Sequence, residues 1–85
     1  MVEKVSVNVK VISLNVEHNF LIPFEMSVNE ATNLVVQALL EEYPGVRPGY
    51  TGGYTLVQLS SGKALTASCS LKQLGILQGE KLLLV

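Results

Sequence analysis

The sequence predicts an α+β fold: a mixed sheet of four to five strands with one helix packed on one face. Three stretches lead to this prediction. Residues 5–11 alternate valine with polar residues, as a strand with one buried face does. Residues 27–42 carry apolar residues at helical spacing behind a serine cap. Residues 81–85 are a short leucine-rich run, typical of a buried strand.

The N-terminal segment predicts an antiparallel hairpin. After the valine-rich strand, the polar residues 15–19 indicate a turn, and apolar residues at every second position of 20–24 indicate the returning strand. Pro23 lies within this second strand and has no amide hydrogen to donate to a neighbour. We therefore expect the second strand at the edge of the sheet or at a bulge.

A single helix of about four turns follows the hairpin. Ser27 and Glu30 fit a capping box, in which the serine oxygen accepts a hydrogen bond from the third helical amide. The stripe with the spacing of a sheet-facing helix consists of Val28, Ala31, Leu34, Val35, Ala38, Leu39 and Glu42. Pro44 should end the helix, since the residue before a proline avoids helical backbone angles.

The second half of the chain predicts a loop and three more extended segments. Residues 44–53 contain four glycines and two prolines and are interpreted as a surface loop. Residues 54–59 predict the third strand, and Ser61 and Gly62 a turn. Residues 64–65 suggest a short fourth strand, and residues 70–75 one helical turn. We expect the first and last strands to pair in parallel at the sheet centre, in a single domain over residues 1–85.

Composition favours protein partners. The 85 residues are 48% hydrophobic and 15% charged, with a formal net charge of -1, so the chain is one small domain without room for a large buried active site. The six lysines and arginines are scattered, which argues against nucleic acid. Cys69 is the single cysteine, so no internal disulfide forms and a cytoplasmic location is expected. The N-terminus is neither a signal peptide nor a membrane-inserting span.

Residues of catalytic type do not form a recognisable constellation. Cys69 and His18 are the only residues of their kinds, and no third group is evident to orient them. We interpret Cys69 as a packing residue and His18 as a solvated turn residue. Glu41 and Glu42 project about 100° apart from a helix and are interpreted as its solvated end. The glycines match no phosphate-binding pattern. We therefore expect no catalytic activity, cofactor or metal.

One face of the predicted sheet is a candidate binding surface. If Leu56, Leu82 and Leu84 face the helix, alternation turns four residues of the last two long strands outward. These residues form an apolar strip with a basic edge: Val57, Lys81, Leu83 and Val85. Scattered exposed apolar residues are also common on inert surfaces, and the first strand adds polar residues to this face. The loop of residues 44–53 is the alternative binding site.

The end of the chain resembles that of ubiquitin-like (β-grasp) domains. Residues 71–85 read Leu-Lys-Gln-Leu-Gly-Ile-Leu-Gln-Gly-Glu-Lys-Leu-Leu-Leu-Val. Many ubiquitin-like domains end in leucine, two residues, leucine, glycine, an apolar residue, two residues, glycine, an acid, any residue and leucine. The pattern implies a turn that tucks Leu71, Leu74 and Ile76 under the sheet and a bend at Gly79 that starts the final strand.

Within that superfamily the chain is most similar to the YukD/EsaB-like proteins of bacterial type VII secretion systems. The shared features are the length, the Ile22-Pro23 pair, Cys69 before the leucine-glycine turn, and an end at the last strand. The resemblance implies a cytoplasmic accessory or regulatory component, required for export of small helical substrates and without known enzymatic chemistry. It also implies secretion-system proteins as partners.

Two other functions stay open at this point. Ubiquitin-like modifiers and sulfur carriers act through a flexible Gly-Gly tail, whereas here Val85 closes a predicted strand and Gly52-Gly53 lies inside the chain. We interpret that internal pair as part of the loop. The third possibility is an adaptor domain cut from a larger protein.

Overall fold

The computed structural model describes residues 3–43 and 54–85 and contains one mixed sheet with one helix. The strands lie in the order β2-β1-β5-β3-β4, with β1 parallel to β5 and every other pair antiparallel. The elements are β1 (Lys4–Val11), β2 (Val16–Pro23), α1 (Val28–Glu42), β3 (Leu56–Gln58), β4 (Lys63–Ala64) and β5 (Glu80–Leu84). The predicted α+β architecture and its central parallel pair are confirmed. The loop predicted over residues 44–53 lies outside the described residues.

Strand β1 contributes one complete face of side chains to the hydrophobic core. Its four valines are all buried, while the residues between them lie on the opposite, partly exposed face. Because side chains alternate along a strand, one face of β1 packs under the helix and the other faces water. The buried valines pack with apolar residues of α1 and β5 in a single cluster. The period-two pattern therefore predicted both the strand and its buried side.

The turn between β1 and β2 is shorter than the predicted one. The structure turns over residues 12–15, and β2 begins at Val16, which pairs with Val11. Asn15 has a φ of 54°, a left-handed conformation that asparagine adopts more readily than most residues. The four residues 12–15 complete the reversal, with the Asn15 amide donating to the Ile12 carbonyl at 3.3 Å, so residues 17–19 belong to the strand. The prediction that they form the turn was wrong.

Strand β2 lies at the edge of the sheet, as Pro23 predicted. Pro23 is its last residue and stands opposite Lys4. A proline there costs no ladder hydrogen bond if its missing amide hydrogen would have pointed away from β1. The Phe24 amide donates to the Glu3 carbonyl at 2.8 Å, so Phe24 and Glu3 form a hydrogen-bonded pair. Because such pairs alternate with non-bonded ones in an antiparallel ladder, the adjacent pair of Pro23 and Lys4 is a non-bonded one.

Helix α1 begins and ends where the sequence predicted. Ser27 is the N-cap, and its hydroxyl oxygen accepts from the Glu30 amide at 3.2 Å. The last helical residue is Glu42, and Tyr43 is the C-cap. The helix has 15 residues, which is about four turns. The capping residue and the downstream proline were therefore sufficient to place both ends.

The face that α1 buries differs from the predicted stripe: Leu34 and Glu42 are exposed, Ala38 is only half-buried, and Thr32 is buried. The buried residues are Val28, Ala31, Thr32, Val35 and Leu39. Leu34 is 39% exposed, because a rotation of about 100° per residue carries it away from Val35 and toward water. Thr32 takes the place of Leu34 in the buried stripe. Its burial leaves no hydroxyl without a partner, because the Thr32 hydroxyl donates to the Val28 carbonyl at 2.8 Å. The placement of Leu34 in the core was wrong.

The segment between β4 and β5 tucks two large side chains under the sheet. Leu74 donates to the Ser70 carbonyl at 3.1 Å, which forms the predicted helical turn, and Leu71 and Ile76 are buried. The turn is closed by reciprocal bonds between Ser70 and Gln73, at 2.8 and 3.0 Å. Gly79, with a φ of +79°, then bends the chain into β5.

Leu84 and Leu34 give a matched test of this core. Leu84 is fully buried, so Leu84→Ala should lower the free energy of unfolding by about 2–5 kcal/mol through lost burial and a residual cavity. Leu34→Ala should change it by about 0.5 kcal/mol or less, because the side chain already contacts water. Urea unfolding followed by circular dichroism measures both. Equal losses for the two variants would contradict the helix orientation.

Candidate protein-interaction surface

The outer sheet face is the surface of the sheet that faces away from α1. Strand register places Val57 opposite Leu83, and Leu83 opposite Lys10 on its other side. Ala64 of β4 stands opposite Val57. These residues therefore form one continuous row across four strands. Lys81 lies two residues along β5, opposite Asn8.

The four predicted site residues all lie on this face. Val57 and Leu83 are half-buried, Lys81 is exposed, and Val85 is 52% exposed. Val85 is fixed by two backbone hydrogen bonds with Thr55, at 2.8 and 2.9 Å. The side chains project from a paired ladder, so a partner would meet an already ordered surface.

Two further apolar residues extend the surface and were missed from the sequence. The Ile12 amide donates to the Leu84 carbonyl at 3.2 Å, which places Ile12 beside Val85. The Leu59 amide donates to the Lys81 carbonyl at 3.1 Å. Ile12 and Leu59 are 49% and 50% exposed. Extending the period-two pattern one step beyond the first strand would have found Ile12, and continuing it from Val57 within the predicted strand of residues 54–59 would have found Leu59. The outer-face patch is defined as Ile12, Val57, Leu59, Leu83 and Val85.

Polar residues border the outer-face patch on the β1 side. The Asn8 side-chain amide donates to the side-chain oxygen Oδ1 of Asn19 at 3.1 Å, and Ser6 and Lys10 lie along the same strand as Asn8. Lys10 and Lys81 flank the apolar row at the boundary. The arrangement is an apolar strip with a basic and polar margin, as the alternation predicted.

His18 is a packed strand residue, and its assignment to a solvated turn was wrong. Because β2 begins at Val16, residue 18 points toward the helix side of the sheet. Its Nε2 lies 2.9 Å from the Tyr43 hydroxyl, and which of the two donates depends on the tautomer. The ring also meets the edges of Phe20 and Tyr43, with centroids 6.3 and 5.8 Å apart. His18 thus joins β2 to the end of α1.

Cys69 lies at the other end of the helix. Its carbonyl accepts from the Val28 amide at 2.8 Å, at the first residue of α1, and its side chain is half-buried. His18 contacts Tyr43, beyond the last residue. The 15-residue helix separates these ends by about 22 Å, too far for the thiol and the imidazole to act together.

The described residues hold no group of three or more side chains suited to a metal ion. Glu41 and Glu42 are exposed at the end of α1, in agreement with their interpretation as a solvated helix end. Within residues 3–43 and 54–85, no helix is long and apolar enough to span a membrane.

Comparisons with known proteins identify the fold. No family model matches the chain, and no curated protein matches its sequence. A chain of the toluene 4-monooxygenase HD complex with the inhibitor 4-bromobenzoate superimposes with a TM-score of 0.79 at 11% identity, covering 98% of both chains. The EccD5 ubiquitin-like domain from Mycobacterium xenopi has a TM-score of 0.76 at 18% identity, over 98% of this chain and 93% of that one.

A chain of the MycP5-free ESX-5 inner membrane complex also matches, with a TM-score of 0.72 at 24% identity. The match covers 96% of this chain and 20% of that one. Other ubiquitin-like domains superimpose as well. Identities this low establish shared architecture, and together with the observed topology they show that the chain has the ubiquitin-like, β-grasp fold.

The contact between His18 and Tyr43 can be measured by a double-mutant cycle. We predict a coupling of about 0.5–1.5 kcal/mol between Tyr43→Phe and His18→Leu, because each removes one partner of the same hydrogen bond. Urea unfolding of the wild type, both single variants and the double variant gives the coupling. Additive losses would show that the two side chains do not interact.

Proposed function

We propose that this chain is a non-enzymatic, ubiquitin-like protein-binding module, working as a cytoplasmic accessory or regulatory component of a bacterial type VII secretion system. In this proposal residues 1–85 act as one domain. The observation that carries it is the outer-face patch: five apolar residues on a rigid sheet face that α1 leaves open. Three of them are about half exposed: Ile12, Leu59 and Val85.

The shape of this surface suits a protein partner. The row across β5, β3 and β4 is apolar, formed by Leu83, Val57 and Ala64, and the flanking Lys10 and Lys81 can meet carboxylates at the rim of an interface. Binding would require little reordering, because the backbone beneath the patch is already hydrogen-bonded. The separation of Cys69 from His18 supports a binding role over a chemical one.

Two findings support the link to type VII secretion. The EccD5 domain and the ESX-5 inner membrane complex both contain chains with the same fold. The likeness to YukD/EsaB-like proteins is based on the length, the Ile22-Pro23 pair and the position of Cys69 before the leucine-glycine turn. The ending of residues 71–85 supports only the wider ubiquitin-like resemblance, with Leu71 and Ile76 buried and a bend at Gly79. Secretion-system components are therefore the proposed partners.

A second candidate function is that of an accessory chain in an oxygenase complex. The superposition on a chain of the toluene 4-monooxygenase complex favours it, since that match covers 98% of both chains. Both candidates are binding roles, and they differ in the partner. Identifying the captured protein separates them.

The outer-face patch can be tested by placing charge at its centre. In a pull-down from native lysate, Val57→Asp with Leu83→Asp should abolish capture of partners identified by mass spectrometry. A carboxylate in a desolvated interface costs several kcal/mol. On the open face of the free domain, each substitution should cost on the order of 1 kcal/mol or less.

Leu34→Asp is the matched control, because it places the same charge on an exposed leucine of the helix. This variant should retain capture. If the folded double variant captures every wild-type partner, the binding site lies elsewhere, with residues 44–53 as the next region to test. Recovery of secretion components supports the first candidate, and recovery of oxygenase subunits supports the second.

A further inference from the structure

The turn pocket is a concave site of about 370 Å³ where the outer sheet face meets the turn before β5. Leu59 and Ser60, just after β3, form one side of it, and Leu77 and Gln78 form the other. Residues 79–81 complete the lining. Ligand pockets in proteins span about 300–1,000 Å³. The turn pocket therefore has room for one large side chain of a partner.

The two leucines that line the turn pocket are exposed on opposite sides of it. Leu77 is 70% exposed, more than any other large apolar residue that the structure describes, and Leu59 is 50% exposed. A single exposed leucine is common on protein surfaces, whereas here two leucines flank one pocket. An apolar group placed between them would remove both side chains from water, which is favourable.

The turn that carries Leu77 is ordered by backbone and side-chain hydrogen bonds. The Glu80 amide donates to the Leu77 carbonyl at 3.0 Å. The Ser6 amide donates to the side-chain oxygen of Gln78 at 2.8 Å, and the Gly79 amide donates to the Ser6 carbonyl at 2.7 Å. Leu77 is thus presented on a fixed turn, so binding through it requires little further ordering.

The Glu80 carboxylate joins the two sides of the turn pocket. Its Oε1 accepts a hydrogen bond from the Leu77 amide at 3.3 Å, and its Oε2 accepts one from the Ser60 hydroxyl at 3.4 Å. Both carboxylate oxygens are therefore engaged by the sides of the pocket. These contacts fix the separation of the two sides in the free domain.

Lys81 gives the turn pocket a positive rim. Its side chain is exposed, and within residues 3–43 and 54–85 it forms no ion pair. Gly79 adds no side chain, and the space over its backbone is open, so a flat ring can approach it closely. The lining therefore fits an aromatic ring with a carboxylate beside it.

We propose that the turn pocket anchors a phenylalanine side chain of a partner protein, and that an acidic residue next to this phenylalanine pairs with Lys81. The inference rests on the proposed protein-binding function and adds the chemistry of the partner's segment. The ring lies between Leu59 and Leu77 and supplies most of the affinity. The acidic residue adds specificity, because a basic residue in its place would be repelled by Lys81.

The probe is the synthetic peptide acetyl-SGFESG-amide, titrated into the isotope-labelled domain and followed by amide chemical shifts. At millimolar peptide the shifts should concentrate on residues 59–60 and 77–81. The matched peptide acetyl-SGAESG-amide should bind at least about tenfold more weakly, because it lacks the ring. Equal affinities for the two peptides would overturn the proposal, as would no binding of the phenylalanine peptide at millimolar concentration.

Charge reversal tests the pairing with Lys81. Lys81→Glu should weaken the binding of acetyl-SGFESG-amide about twofold to fivefold, as expected for loss of an exposed ion pair. The same variant should bind acetyl-SGFKSG-amide more tightly than the wild type does, by a similar factor. If the wild type and the variant show the same preference between the two peptides, the proposal is contradicted.

Two other occupants are separated by related measurements. Phenylacetate has the ring and a carboxylate without a peptide, and we expect it to bind more weakly than acetyl-SGFESG-amide. Equal affinity would assign the pocket to a free aromatic acid. Sedimentation of the domain alone tests a second copy, and we expect no dimer that Leu77→Ser dissociates. Such a dimer would assign the pocket to self-association and overturn the proposal, as would equal binding of phenylacetate.

Leu77→Ser and Leu34→Ser form a matched pair of protein variants, because both leucines are exposed and only Leu77 lines the pocket. Leu77→Ser should weaken peptide binding at least about tenfold, and Leu34→Ser should leave it unchanged. In the pull-down from native lysate, Leu77→Ser should also reduce capture of the wild-type partner. Full capture by the folded Leu77→Ser variant would overturn this inference and leave the proposed function standing. Failure of the wild-type domain to capture any protein would instead contradict the proposed function itself.

Discussion

The parallel pairing of β1 with β5 is the contact on which the remaining structure depends. It joins Val7 through Val11 to Glu80 through Leu84, so two segments far apart in the chain meet at the centre of the sheet. Strand β2 attaches to β1, β3 attaches to β5, and α1 packs across their buried side chains. The bond from Gly79 to Ser6 begins this register, and the left-handed turn at Gly79 allows it.

This pairing also explains why the outer side of the sheet stays open. One helix can cover only one face of the sheet, so alternation leaves Val57 and Leu83 on the outer side with their neighbours.

Local patterns in the sequence were sufficient for most of the fold. Alternating valines identified β1 and its buried face, Ser27 and Pro44 bounded α1, and alternation turned the four predicted site residues outward. The errors arose where tertiary structure determines how long a turn is or which residues a helix buries. A single left-handed Asn15 shortened the turn and drew His18 into β2, and packing against the sheet selected Thr32 over Leu34. Ile12 was missed because it lies one residue past the end of β1. Leu59 lay within the predicted strand of residues 54–59, but the alternation was not continued from Val57 to it.

The most direct test of the outer-face patch is methyl NMR of the domain with labelled isoleucine, leucine and valine side chains, recorded with and without its captured partner. Methyl groups report on the patch itself, whereas the amides beneath it are already hydrogen-bonded. We predict that the methyl signals of Ile12, Val57, Leu83 and Val85 shift on binding while that of Leu34 does not. Shifts confined to Leu34 and the helix surface, with the outer face unchanged, would contradict the account.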